Sequence, residues 1–255
     1  MKTFETVIGR YSFTSAIAAL ALAGATQIAS ASLIDVNFYS INYSPPGGTA
    51  SGAAVVGTAN DQWNGIDGDN GFGSVSSLIN TSGSPTGVTL TYNTAGGAAV
   101  TSLAQNTQPT PSMMNDYLFN NAGGAITVSV GNLAAGTYDL YVYLASNDAN
   151  SGNRSATVNA NGISLPATGN AEPSFLVGQN YLLLTPTVGA SGVLTITESD
   201  LPSTGNAATE VDMNGFQLQP AVAAVPEPAS LLAGALMLLP FGTGALRMLR
   251  RRQTA

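Results

Sequence analysis

The stretch GNLAAGTYDLYVYLA, residues 131–145, decides the fold. From Tyr138 onward every second residue is apolar. Tyr138, Leu140, Val142 and Leu144 fall on one side of an extended chain, and Asp139, Tyr141 and Tyr143 on the other. Period two belongs to a strand with two distinct faces, because a helix would scatter these positions around its circumference. The same alternation recurs outward along the chain. Leu33 to Phe38 (LIDVNF) reads as a first strand; Val88, Leu90 and Tyr92 alternate with Thr89 and Thr91, and Ile126, Val128 and Val130 with Thr127 and Ser129. Ser155 to Asn159 and Ile163 to Leu165 flank Asn161-Gly162, a dipeptide that favours the left-handed backbone of a tight hairpin. Val193 to Thr197 and Phe216 to Leu218 supply late strands. Short alternating strands punctuated by Gly, Asn and Pro predict an all-β fold of antiparallel sheets, a β-sandwich in preference to a barrel. SMMNDYLF (112–119) breaks the pattern and predicts a helical turn near Asn115 to Phe119. Residues 44–60 and 81–111 read as long loops.

Composition narrows the chemistry. Only 8% of the 255 residues are charged, against about a quarter in ordinary soluble domains. Between Ser32 and Ala224 the single base is Arg154, set against twelve acids, a net charge of −11. Nucleic acid demands clustered Lys and Arg to displace counterions, so it is excluded as a partner. The absence of His and Cys removes Ser-His-Asp triads, imidazole bases, thiol nucleophiles, disulfides, and His- or thiolate-bound metals.

The two ends read as addresses. Residues 1–31 combine Lys2 and Arg10, a short apolar run from Ala16 to Ala25, and Ala29-Ser30-Ala31. That is the order of a signal peptide cut after Ala31, and the apolar run is too short to span a bilayer. At the other end Ala229 to Leu246 is an uncharged stretch near the minimum length for a transmembrane helix, followed by Arg247, Arg250, Arg251 and Arg252. Cations in that position stay cytoplasmic, which places the intervening domain outside the membrane. Val225-Pro226-Glu227-Pro228 stands immediately before the helix, and the three features together resemble the PEP-CTERM sorting signal of bacterial envelope proteins. The resemblance covers residues 225–255. It implies export through the Sec machinery, transient anchoring in the inner membrane, recognition by an exosortase at Pro226, Glu227 and Pro228, and removal of the tail. The competing reading is a plain tail anchor on a stiff Pro-containing stalk. The expected organisation is a signal peptide (1–31), a β-sandwich ectodomain (32–220), a linker (221–228), a transmembrane helix (229–246) and an Arg-rich tail (247–255).

LIDVNF, GNLAAGTYDLYVYLA and EVDMNGFQLQP (210–220) also resemble the first, central and closing strands of galactose-binding-like jelly rolls, a group that includes many carbohydrate-binding modules. The resemblance extends over about residues 33–219. It implies a jelly roll, a polysaccharide partner, and a structural Ca²⁺ where first and last strands meet, near Asp35, Glu210 and Asp212. The competing reading of those acids is a solvated acidic face.

Trp63 is the only Trp and lies in NDQWNGIDGDNGFG (60–73), which reads as a loop. Its ring is a candidate for stacking on a sugar, with Asp61, Asp67 and Asp69 to take hydroxyls; a plug in the core is the alternative. The stretch fails as an EF-hand, since Leu78 occupies the position of the bidentate Glu. Tyr141 and Tyr143 share a face that suits either a sugar platform or packing. Glu198 with Asp200, and Glu210 with Asp212, are the acid pairs spaced for glycoside cleavage, but nothing else accompanies them, and no catalytic residue is assigned. The sequence thus describes a structural or adhesive envelope or matrix protein associated with exopolysaccharide, the alternative being a calcium-dependent carbohydrate-binding module. Intact mass of the envelope-associated protein is expected to lack the segment bearing Arg247 to Arg252; a full-length C-terminus overturns the sorting assignment.

Overall fold

The computed structural model describes residues 32–42, 48–95, 100–102, 112–120, 123–144, 155–169, 172–201 and 210–221. The expected signal peptide, sorting motif, membrane helix and Arg tail lie outside them. Among the described residues no helix is long and apolar enough to cross a membrane. The chain divides into two units after Pro220, and the first of them carries every strand among the described residues.

Three sheets make up this unit. In chain order the strands are β1 (Ile34–Tyr39), β2 (Asn64–Asp67), β3 (Phe72–Val75), β4 (Thr89–Asn93), β5 (Val100–Ser102), β6 (Asp116–Asn120), β7 (Ile126–Gly131), β8 (Gly136–Tyr143), β9 (Ala156–Ala160), β10 (Ile163–Ala167), β11 (Tyr181–Leu184), β12 (Thr187–Val188), β13 (Leu194–Asp200), β14 (Val211–Met213) and β15 (Gly215–Pro220). The first sheet has the order β11-β8-β15-β1-β2, with β12 continuing alongside β8. The second runs β10-β9-β13-β7-β4-β3, and the third is β14-β6-β5. All pairings are antiparallel except β1 with β2, which run parallel across the long connection between them.

The inner faces of the two large sheets form one core, to which Val36, Phe38, Leu140, Val142 and Phe216 come from the first, and Leu90, Val128, Val158 and Ile196 from the second. Phe38 and Tyr92 meet across it with ring centroids 5.4 Å apart, inclined at 57°. This is the sandwich that alternation predicts: in β8 Tyr138, Leu140 and Val142 turn inward, and β7 and β13 show the same period. The hairpin at Asn161-Gly162 also forms, both residues having positive φ (46° and 92°), as a two-residue turn of the right twist requires. The Asn161 side chain donates to Thr187 O and Val193 O (each 3.1 Å) and accepts from Thr195 N (2.9 Å), binding the hairpin to the chain leading into β13.

Three expectations are corrected. SMMNDYLF forms its helical turn earlier, as 3₁₀ at Ser112–Asn115, and Asp116–Asn120 is strand β6, because Tyr117 and Leu118 are drawn into the interior. NDQWNGIDGDNGFG is not one loop but β2, a turn and the start of β3. Within residues 81–111, β5 joins the β4 that alternation predicts, so the stretch is not all loop.

β15 is the keystone of the first sheet, pairing with β1 on one side and β8 on the other. Gly215 opens it where no side chain fits, since a Cβ there would lie 2.1 Å from the Val36 carbonyl oxygen. The obstacle is backbone and cannot swing aside. Gly215→Ala is therefore expected to destabilise the fold by about 3 kcal/mol, read as a lower denaturant midpoint; an unchanged midpoint contradicts this packing.

Candidate functional site: the outer face of the first sheet

Alternation gives the first sheet a second face, and this one is only partly covered. Residues 48–62 run over it as a strap, held by side chains rather than by a ladder. Asn37 donates to Gly48 O (3.1 Å) and accepts from Ala50 N (3.0 Å). Val55 N donates to Tyr143 Oη (3.1 Å), and Tyr143 Oη donates to Gln217 Oε1 (2.5 Å). The same Gln217 oxygen accepts from Val56 N (3.3 Å), while Gln217 Nε2 donates to Val56 O (3.1 Å) and Asp35 Oδ1 (2.9 Å). Under the strap lies a small second core of Ala50, Trp63, Tyr143, and Met113 and Met114 from the 3₁₀ turn.

Aromatic side chains emerge at the rim of this core. Tyr141, Phe175 and Tyr181 are half-buried and pack against it. Phe175 and Tyr181 flank the fully buried Tyr143, at centroid distances of 5.3 and 6.2 Å, and meet each other edge-on at 6.3 Å and 89°. Register sets the rest: Leu183, 39% exposed, stands opposite Tyr141, and Gln219 opposite Asp139. Burial raises the Tyr141 phenol above its usual range, and the neighbouring Asp139 and Tyr181 add to the shift, which places all three in one neighbourhood. The result is a shallow aromatic platform with a carboxylate and an amide at its border. Elsewhere a cleft of about 460 Å³ opens where the chain enters and leaves the sandwich, but Ile34, Val88, Leu133 and Leu218 give it a largely apolar lining.

Candidate residues read from sequence fall in several places. Trp63 is only 3% exposed and its Nε1 donates to Gly52 O at 2.8 Å, so its faces lie in the second core and are closed to a sugar ring. The core alternative is the one realised, because β2 turns Trp63 beneath the strap. Asp61 is buried and ties its own turn, accepting from Thr58 N and Thr58 Oγ1 (both 2.7 Å). Asp67 ends β2 and Asp69 lies in the turn after it, where Asp69 accepts from Ser40 Oγ (2.5 Å) and from Asn42 Nδ2 (2.5 Å). These four residues do not form one sugar site.

The calcium candidates are dispersed as well. Asp35 is beneath the strap on β1, Asp212 is on β14 in the third sheet, and Glu210 precedes it. Among the described residues no three acidic side chains are gathered to hold a metal ion. Asp212 instead offers its backbone N–H to Glu198 Oε1 (3.2 Å), and Asp35 and Asp212 are themselves buried, so these two do not belong to a solvated acidic face. Phe175 and Tyr181 were not legible as site residues. Phe175 belongs to no periodic segment, and the YLLL of β11 shows its alternation of half-exposed and buried residues only once it is paired with β8.

Two buried acids carry the electrostatic strain of this arrangement. Burial pushes the Asp35 carboxyl up to about 7 against the opposing hydrogen bond from Gln217, with the Asp61 charge adding to the rise. Burial likewise pushes Glu198 up to about 8, opposed by the Asp212 N–H. Both values exceed those of the unfolded chain, so folding retains protons that the unfolded state releases.

No protein family and no curated protein matches the sequence. Among solved structures, the chain is similar to the ANX2 ectodomain from Arabidopsis thaliana at 14% identity and TM-score 0.40, over 54% of this chain and 44% of that one. It is similar to an exo-β-1,3-galactanase from Phanerochaete chrysosporium at 17% identity and TM-score 0.32, over 56% and 32% of the two chains. To a family 35 carbohydrate binding module from Clostridium thermocellum it is similar at 19% identity and TM-score 0.31, over 52% and 92%. The match spans less than half the length of the first two.

The sign of the proton linkage gives a test. Stability contributed by the neutral acids is complete near pH 4 and lost as pH rises to about 8. Glu198→Gln is expected to lose less melting temperature between pH 5 and pH 8.5 than the parent chain; an equal loss removes Glu198 from the linkage.

Proposed function

We propose that this chain is an exported bacterial envelope or matrix protein, sorted by an exosortase at Pro226-Glu227-Pro228, whose sandwich adheres to polysaccharide through the outer face of its first sheet. One observation carries the adhesive part: Tyr141, Phe175 and Tyr181 stand half-exposed on a sheet whose strap and buried network fix their bases. A pyranose ring presents a face of C–H bonds that packs on an aromatic ring, and polar groups at the border take its hydroxyls. Asp139 and Gln219 are placed for that role. The order of signal peptide, Pro-Glu-Pro motif, apolar stretch and Arg cluster supports the address. No catalytic step is part of this reading. Glu198, one of the acids spaced for hydrolysis, is buried and accepts from the Asp212 backbone N–H.

Binding of the full chain to the producing organism's exopolysaccharide, followed by pull-down and calorimetry, tests the proposal. Tyr141→Ala and Tyr181→Ala are each expected to weaken binding about tenfold while leaving the fold intact by circular dichroism, and Trp63→Phe to leave binding unchanged. Wild-type binding by both tyrosine variants overturns the platform.

A further inference from the structure

The ionisable groups of this domain are one-sided. Lys, Arg and His are absent from every described residue, and His from the whole chain, so none of these residues can pair with a uronate, sulfate or phosphate. The charged side chains among the described residues are Asp and Glu, and one of them, Asp139, borders the platform two residues before Tyr141 on the same face of β8. Among the described residues no hydrogen bond occupies the Asp139 carboxylate. Aromatic faces add a second term of the same sign, because the π-cloud of a Tyr or Phe attracts a cation within about 6 Å. Around both lies the field of a strongly acidic region, formally −11 with every acid ionised, which steers cations inward and acidic polymers away.

We infer that the platform of Tyr141, Phe175 and Tyr181 selects glycans bearing free amino groups, the Asp139 carboxylate receiving the ammonium while the rings receive the sugar face. This rests on the reading of the outer face as a glycan platform and adds the class of sugar. An acetylated amine would lose both the charge pair and the cation–π contact, keeping only the stacking. An acidic sugar would meet repulsion with no compensating base among the described residues.

The experiment is calorimetry on the full chain with glucosamine oligomers, N-acetylglucosamine oligomers of equal length, and oligogalacturonate. The free amine is expected to bind at least fivefold more tightly than the acetylated form, with the difference shrinking as salt rises. Asp139→Asn is expected to reduce that preference about threefold without altering affinity for the acetylated oligomer, and Tyr181→Ala to weaken both. Asp200→Asn, on β13 of the other sheet, is expected to keep the preference. Equal affinity for amine and acetylated oligomers overturns the selectivity and leaves the platform standing. If Asp200→Asn acts as Asp139→Asn does, the attraction is diffuse and the site assignment falls. Absence of binding by every oligomer, or indifference to Tyr181→Ala, overturns the platform and the inference together.

Discussion

A single side-chain amide, that of Gln217, sits where three parts of the molecule meet. Its oxygen accepts from Tyr143 on β8 and from the strap at Val56; its nitrogen donates to the same strap residue and to Asp35 on β1. Buried amides are costly unless their donors and acceptors are used, and here both ends of the group are engaged. Because one group fixes the strap against both neighbouring strands, the outer face of the first sheet becomes a covered, ordered layer. The aromatic rim inherits its rigidity from that layer, since Phe175 and Tyr181 pack on the ring that Gln217 holds in place.

The two faces of this sheet solve different problems. Inside, apolar residues from facing strands bury one another, and burial of this kind supplies most of the stability of a domain without disulfides. Outside, Asp35, Asn37, Gln217 and Tyr143 are polar yet fully or almost fully buried, satisfied by one another and by the strap. Polar burial adds little net stability but allows few alternative arrangements. Asp35 marks the limit of that arrangement: one carboxylate oxygen accepts from Gln217, the other finds no hydrogen-bond partner among the described residues, and burial keeps the acid protonated to near neutrality.

Much of this was legible in the sequence, and the remainder failed for identifiable reasons. Alternation located β1, β4, β7, β8, β9, β13 and β15 because each has one apolar and one polar face. It missed β2 and β6, which are short and owe their state to partners: Asn64 to Asp67 becomes a strand beside β1, and Asp116 to Asn120 between β14 and β5. Trp63 was ambiguous for a related reason. A polar strap buries an apolar face as completely as a second sheet does, and composition cannot reveal that residues 48–62 fold back over β1. The rim of Tyr141, Phe175 and Tyr181 assembles residues up to 40 positions apart, and only the pairing of β11 with β8 brings its outer members together.

The sheet order carries a consequence for how the chain acquires its structure. β15, the last of the described strands, lies between β8 and β1, and Gln217 reaches an acid 182 residues earlier. Closing so long a loop costs only logarithmically more than closing a short one, but it cannot begin before the final strand has been synthesised. Until then β1 with β2, and β8 with β11, are two separate ribbons with no shared partner. A nascent chain short of residue 215 therefore has no complete first sheet to lock into, even though every strand of the second sheet has already been made.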